Sequence, residues 1–332
     1  MKAFVLFLSL VVCTACSTAP DDTPVSRYGG PPMADPVDFD RAAIDVIRGT
    51  FASGRQPDGN TVILASNAGP IVFDTGRHAT HAQKIIDLAN ARGQPVAAII
   101  NSHWHLDHIS GNIPLRKIWP GAAVYSNDVA LTDALGSFLQ RGLEANRQML
   151  ADLGTPAGLA EDVRADIATV EQGDKLHPTL SITAPRTLVI GGRTLELHTA
   201  TAASAGDIWL FDPTAQFVAS GDIITLPAPF LDTACPSEWR KALDEILATH
   251  FVRLVPGHGS EMSRADVQLY RDAVIALVAC ANSADACATA WTSSITSLLD
   301  EQSGDAGQAD AYARYYIENV LSPRAYRADC VS

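Results

Sequence analysis

The chain is short of basic residues. It carries 24 Lys and Arg against 37 Asp and Glu among 332 residues, a formal net charge of −13. An acidic surface of this kind argues against a nucleic-acid partner, which is held chiefly through phosphate contacts to Lys and Arg. It places no such limit on a small-molecule site. Long apolar runs are also missing. The N-terminal stretch Phe4 to Val12 is too short to span a bilayer as a permanent helix. There are no internal repeats, which excludes a solenoid. Cysteines are few, and none of those after residue 16 is spaced with a histidine as a structural metal site requires. Hydrophobic residues, at 47% of the chain, suffice for one large domain or two small ones.

The leader has one positive charge, Lys2, before its short apolar run, and reads as a secretory signal over residues 1–16. It ends in Cys13-Thr14-Ala15-Cys16, which looks like a bacterial lipoprotein cleavage box with Cys16 as the lipidated residue. Cys13 stands where leucine is usual, and a simple secretory signal cut nearby is the alternative. Residues 17–40, with Pro20, Pro24, Pro31, Pro32 and Pro36, read as a flexible tether. These features predict an exported, periplasmic protein that meets the membrane only through a lipid on Cys16. In such a compartment the four later cysteines, Cys235, Cys280, Cys287 and Cys330, suggest disulfides, with three pairings open. Cys280 and Cys287 flank a short polar turn and are the easiest pair to close. That leaves Cys235 with Cys330.

From residue 41 onward the pattern is that of a layered α/β domain. Thr61 to Ala65, Pro70 to Phe73 and Val96 to Ile100 read as strands, and Thr80 to Ala91 as a helix with an apolar stripe at Ile85, Ile86, Leu88 and Ala89. Leu131 to Val170 is helix-rich and placed to cover one side of a site. Strands return from about 180 to 222. A helix from Ser237 puts Trp239, Leu243, Ile246 and Leu247 on one face. Ser263-Arg264-Ala265-Asp266 looks like a capping box that opens a helical C-terminal part.

The chemistry concentrates in Asn101-Ser102-His103-Trp104-His105-Leu106-Asp107-His108, directly after the apolar run Val96 to Ile100. Such a run ending abruptly in polar residues reads as a buried strand delivering a loop. Histidines two apart project to one side while the chain is extended, and Asp107 and His108 face a second point as it turns. Imidazole and carboxylate are standard ligands for zinc and similar divalent ions. At these residues the chain resembles the metallo-β-lactamase superfamily, whose signature is His-x-His-x-Asp-His. Gly69 to Gly76 resembles its strand ending in Asp-Thr-Gly. Ala219-Ser220-Gly221-Asp222 resembles its strand ending in a metal-bridging aspartate, and Leu254 to Gly259 its final Pro-Gly-His-Gly turn. The order of the pieces is the family's own.

The resemblance implies two β-sheets packed between helix layers (an αββα sandwich), here with a helical C-terminal extension from about residue 262. It implies a zinc-dependent hydrolase with one or two ions, whose ligands are His103, His105, Asp107, His108, Asp222 and His258. Asp107 would hold metal and orient the attacking water, and Asp222 would bridge two ions. The small-molecule substrate would be an ester, lactone, thioester, amide or phosphoester.

One position departs from the family. Where the family has His-Thr-x-Gly-Asp, this chain has Ala203-Ser204-Ala205-Gly206-Asp207. The first site, His103 and His105, then lacks its third histidine, and the second site (Asp107, His108, His258, with Asp222) is expected to be the stronger. His198 lies close in sequence but falls on the polar face of an alternating strand and reads as a surface histidine. His78 and His81 read as residues near the active-site mouth or, in preference, as surface histidines at a helix start. Trp104 either lines the pocket or packs beneath the loop. The alternative to an enzyme is an envelope lipoprotein that has lost hydrolysis and binds a metal or ligand.

Overall fold

The computed structural model describes residues 26–28, 43–300 and 304–321. Two sheets form its centre. The first runs, in spatial order, β1 (Ser26–Tyr28), β2 (Ile44–Ile47), β3 (Thr61–Leu64), β4 (Ile71–Phe73), β5 (Ala98–Ile100), β6 (Ala123–Ser126) and β7 (Leu180–Ser181). It is antiparallel from β1 to β4 and parallel from β4 to β7. β1 lies within the stretch read as a tether. The second sheet is built from β8 (Arg186–Ile190), β9 (Arg193–Ala200), β10 (Asp207–Asp212), β11 (Phe217–Ala219) and β12 (Arg253–Val255). Its β11 and β12 pair in parallel. The predicted leader, with Cys13 and Cys16, lies outside the described residues.

Strand periodicity explains the layering. Val62, Leu64, Ile71, Phe73, Ala98 and Ile100 point inward and meet Leu195, Leu197, Ile208, Leu210, Phe217 and Val255 of the second sheet. The alternate residues Ile63, Val72 and Ile99 face the other way, onto Ile85, Ile86 and Ala89 of α1 (Ala79–Ala91) and Leu115 of α3 (Asn112–Ile118). Both faces of the central strands β3, β4 and β5 are therefore buried, which is why these strands read as continuous apolar runs rather than alternations. The short helix between, α2 (Leu106–Ile109), belongs to the histidine loop.

Helices α4 (Asp128–Gly136), α5 (Phe138–Ala151) and α6 (Ala157–Val170) fill the segment predicted to be helix-rich. Leu131 and Leu139 pack with Trp104, Leu106 and Ile109, so these helices do cover the histidine loop. Against the outer face of the second sheet lie α7 (Pro236–Ala248), α8 (Arg264–Val278), α9 (Ala284–Ile295) and α10 (Ala306–Tyr316). Trp209, Val218 and Leu254 of that sheet share a core with Trp239, Leu243, Tyr270 and Trp291. The expected αββα order with a helical C-terminal part is what is found. The Ser263–Asp266 capping box forms in full at the start of α8. Cys280 and Cys287 are joined across the α8–α9 turn. Cys235 is also in a disulfide; Cys330, its expected partner, lies outside the described residues.

Candidate metal centre

The site is assembled where β4, β5, β11 and β12 end. After β5 the backbone bends through Ser102, His103 and Trp104, and α2 then carries Asp107 and His108; the extended run expected for His103 and His105 is not what forms. The Asp-Thr-Gly turn after β4 holds this loop from beneath. Asp74 sits at φ 60°, a left-handed backbone that only a specific setting makes worthwhile for a non-glycine residue. Its carboxylate accepts the Ser102 amide at 2.7 Å, the Ser102 hydroxyl at 2.7 Å and His108 Nδ1 at 2.9 Å. His103 Nδ1 bonds the same Ser102 hydroxyl at 2.9 Å. Because that hydroxyl donates to Asp74, it accepts from His103. Both rings therefore carry their proton on Nδ1 and present Nε2 to the site.

Asp222 lies in a tight turn after β11, and His258 follows β12. The parallel pairing of these strands brings the two turns together, with the Gly257 amide donating to Gly221 O at 2.8 Å. Two glycines permit this approach. A Cβ on Gly257 would lie 1.9 Å from Asp222 Oδ1, and Gly221 has φ +53° with Ser102 Cβ 2.3 Å from its own would-be Cβ. Asn60, at the head of β3, clamps the His258 turn by donating to Pro256 O and Gly259 O, each at 2.9 Å. No local pattern singles out Asn60, since its partners lie almost two hundred residues away.

The donor atoms form two overlapping groups: His103, His108 and Asp222, and Asp107, His108 and His258. His108 Nε2 is 3.2 Å from Asp222 Oδ1 and 3.7 Å from Asp107 Oδ2. His258 Nε2 is 3.0 Å from Asp107 Oδ2 and 3.6 Å from Asp222 Oδ1. His103 Nε2 is 3.8 Å from Asp222 Oδ2. Ligands arranged tetrahedrally at about 2.0–2.1 Å from a zinc ion are roughly 3.3 Å apart, a scale that the Asp107, His108 and His258 group approaches, and Asp222 Oδ1 stands beside two of its members. His103 Nε2, His108 Nε2 and Asp222 Oδ1 are buried with no hydrogen-bond partner, which a bound cation would supply.

His105 stands outside both groups. Its Nε2 meets the Thr233 hydroxyl at 2.9 Å, and that hydroxyl donates to Ala203 O, also at 2.9 Å. The space around the family's missing histidine is thus closed by a hydrogen-bonded threonine. Ala203 is fully buried. The frame around it is intact, because the Asp207 carboxylate accepts the Ala202 and Ser204 amides and the Ser204 hydroxyl. Burial raises Asp207 to about 7 despite these bonds. His198 does not substitute for the missing ligand: its ring stacks on Trp209 at 3.9 Å, on the helix-covered face of the second sheet.

Charge in the centre is balanced. Burial would raise Asp107 and Asp222, but His108 and His258 hold both well below the usual carboxylate range, with Arg77 adding to the effect on Asp107. Burial would lower His108, yet Asp222, Asp107 and Asp74 raise it well above the ordinary histidine value. Burial and the neighbouring imidazoles lower His103. Burial also pushes His105 down, to about 4.

Two histidines expected at the surface are not there. His81 is buried, with Nε2 2.8 Å from the Thr61 hydroxyl. His78 lies between Asp58, 2.6 Å from its Nδ1, and Asp162, 3.0 Å from its Nε2. The helix start itself is covered by α6, which no local pattern reveals. Trp104 packs beneath the loop, edge-on to His105 and against Phe138.

The sequence pattern of the metallo-β-lactamase superfamily matches residues 54–277. The chain belongs to that superfamily. Solved structures of metallo-β-lactamase fold agree. A metallo-β-lactamase from Pontibacter korlensis aligns with TM-score 0.50 and 16% identity over 68% of this chain and 91% of that one. The DIM-1 metallo-β-lactamase exposed to ceftazidime aligns with TM-score 0.51 and 12% identity over 77% and 99%. A double mutant of the sec-alkyl sulfatase PisA1 aligns with TM-score 0.53 and 14% identity over 81% of this chain and 49% of that one. At these identities the likeness is one of fold. Helices α9 and α10 lie beyond the residues that match the metallo-β-lactamase superfamily.

Proposed function

We propose that this metallo-β-lactamase-fold protein is a zinc-dependent hydrolase of a small-molecule ester, lactone, thioester, amide or phosphoester, with its principal ion at Asp107, His108, Asp222 and His258. The observation that carries the reading is the buried group of Asp107, His108 and His258, with Asp222 Oδ1 at 3.2 Å from His108 Nε2 and 3.6 Å from His258 Nε2, and with Asp222 Oδ1 and His108 Nε2 lacking a hydrogen-bond partner. A zinc ion held there supplies a Lewis acid and lowers the pKa of its bound water. The chain's own residues do the rest. Asp107, kept ionised by its cationic neighbours, accepts a hydrogen bond from the attacking water and orients it. Asp74 and Ser102 fix the tautomers of His108 and His103. Phe230, edge-on to His105 at 5.0 Å and half-buried, offers an apolar wall to the substrate.

With alanine at 203 and His105 bonded to Thr233, the first site has only His103 directed inward, which is why one ion is proposed as principal. The same observation favours a second reading, a ligand-binding protein without hydrolysis. A panel of β-lactams, lactones, thioesters and phosphoesters, offered to zinc-loaded protein, separates the two. Turnover of one class that disappears in Asp222→Asn supports the hydrolase; zinc bound without turnover of any supports the binding reading.

We further propose that the protein is exported and lipid-anchored at Cys16. The Cys280–Cys287 disulfide supports an oxidising compartment, and no described helix is long and apolar enough to cross a membrane. Mass spectrometry of the N-terminus from cells tests this, and an unprocessed Met1 would refute it.

A further inference from the structure

We infer that Arg77 is a positioning residue for Asp107, braced for that task by helix α6. This rests on the metal-centre reading above. Arg77 follows the Asp-Thr-Gly turn and its side chain is only 11% exposed. Three of its contacts fix the guanidinium. Nε donates to Pro57 O at 3.0 Å, and Nη1 meets both oxygens of Asp166, at 2.6 and 2.5 Å. The backbone amide donates to Asp58 at 2.6 Å. A planar fork anchored in this way cannot turn, and it presents Nη2 to Asp107 Oδ1 at 3.5 Å. That decides which oxygen of Asp107 looks where. Oδ1 faces the fixed cation, and Oδ2 faces His258 and His108.

The brace comes from far along the chain. Asp162 and Asp166 are one helical turn apart on α6, so both face the same way. Both are buried. Asp162 takes Arg55 and His78 while Asp166 takes Arg77. Two buried carboxylates on one helix face are costly unless paired, and here each is paired with a cation from the loops that flank Asp107. Helix α6 therefore transmits its position to a metal ligand through a single arginine.

The test uses the full chain with zinc competed against a chelator, and cobalt(II) as a spectroscopic probe of the ligand set. Arg77→Met should weaken zinc binding about 10–100-fold and alter the cobalt absorption bands, the loss typical of an outer partner of a metal ligand. Asp166→Asn, which touches no ligand, should weaken zinc binding in the same direction by about tenfold. Arg77→Lys should not restore it, because one ammonium cannot reach Pro57, Asp166 and Asp107 together. A merely structural role would lower the melting temperature of the metal-free variants and leave zinc affinity and cobalt bands unchanged; that result overturns the inference. Should Arg77→Met not fold, Arg77→Lys and Asp166→Asn decide the matter on the same readouts. Wild-type protein that binds no zinc would instead refute the metal-centre reading itself.

Discussion

Zinc should raise the melting temperature of this protein, and the rise should depend on Asp222. The metal-free centre contains three buried polar atoms without partners, His103 Nε2, His108 Nε2 and Asp222 Oδ1. Each unsatisfied buried group costs about 1–3 kcal/mol, and the proposed ion reaches two of them, His108 Nε2 and Asp222 Oδ1, so satisfying these is worth on the order of 2–6 kcal/mol before the ion's own dehydration. Linkage sets what is observed: free zinc at 100 times its dissociation constant stabilises the native state by about 2.7 kcal/mol. For domains approaching this size 1 kcal/mol moves the midpoint by about 2–4 °C, so the expected rise is roughly 5–10 °C. Thermal unfolding by circular dichroism, with chelator and then with zinc, measures it. Asp222→Asn removes a charge that lies 3.2 Å from His108 Nε2 and should abolish most of the rise. His198→Ala should leave the rise intact, because His198 stacks on Trp209 away from the centre. No rise in the wild type, or an equal rise in Asp222→Asn, would refute the reasoning.

Other consequences are as direct. Ala203→His adds a donor at a fully buried position packed with Trp209 and Ile223, so the metal-free variant should lose about 1–3 kcal/mol by overpacking while zinc stoichiometry by native mass spectrometry rises; unchanged stoichiometry would mean the new ring does not reach His103. Burial alone would lower His78, but Asp58 first and then Asp162 leave it raised. Its pairing therefore stabilises fully below the ordinary value of about 6.5 and fades as pH climbs through the raised one. Denaturant titrations in chelator should show His78→Leu costing more at pH 6 than at pH 9, and an equal cost at both would contradict this. Replacing Cys280 and Cys287 together by serine should lower stability by about 2–3 kcal/mol in urea unfolding, because the lost cross-link no longer restricts the unfolded chain.

By itself the sequence determined what depends on local geometry. Strand β5 and the loop after it were legible because an apolar run must end where polar ligands begin. The α8 start was legible because Ser263 and Asp266 cap each other within one turn. The Cys280–Cys287 pair was legible because the two lie only seven positions apart. The order of the ligand motifs carried the resemblance to the metallo-β-lactamase superfamily. Only the tertiary structure decided the rest. His258 and Asp222 reach His108 because β11 and β12 pair in parallel. His105 turns to Thr233, 128 residues away, and Arg77 to Asp166, 89 residues away. His78 and His81 looked like surface residues at a helix start, and α6 buries that start under a paired acidic face. Periodicity and capping follow from backbone dihedrals within a few residues. The partner of a buried charge follows from which distant element packs over it.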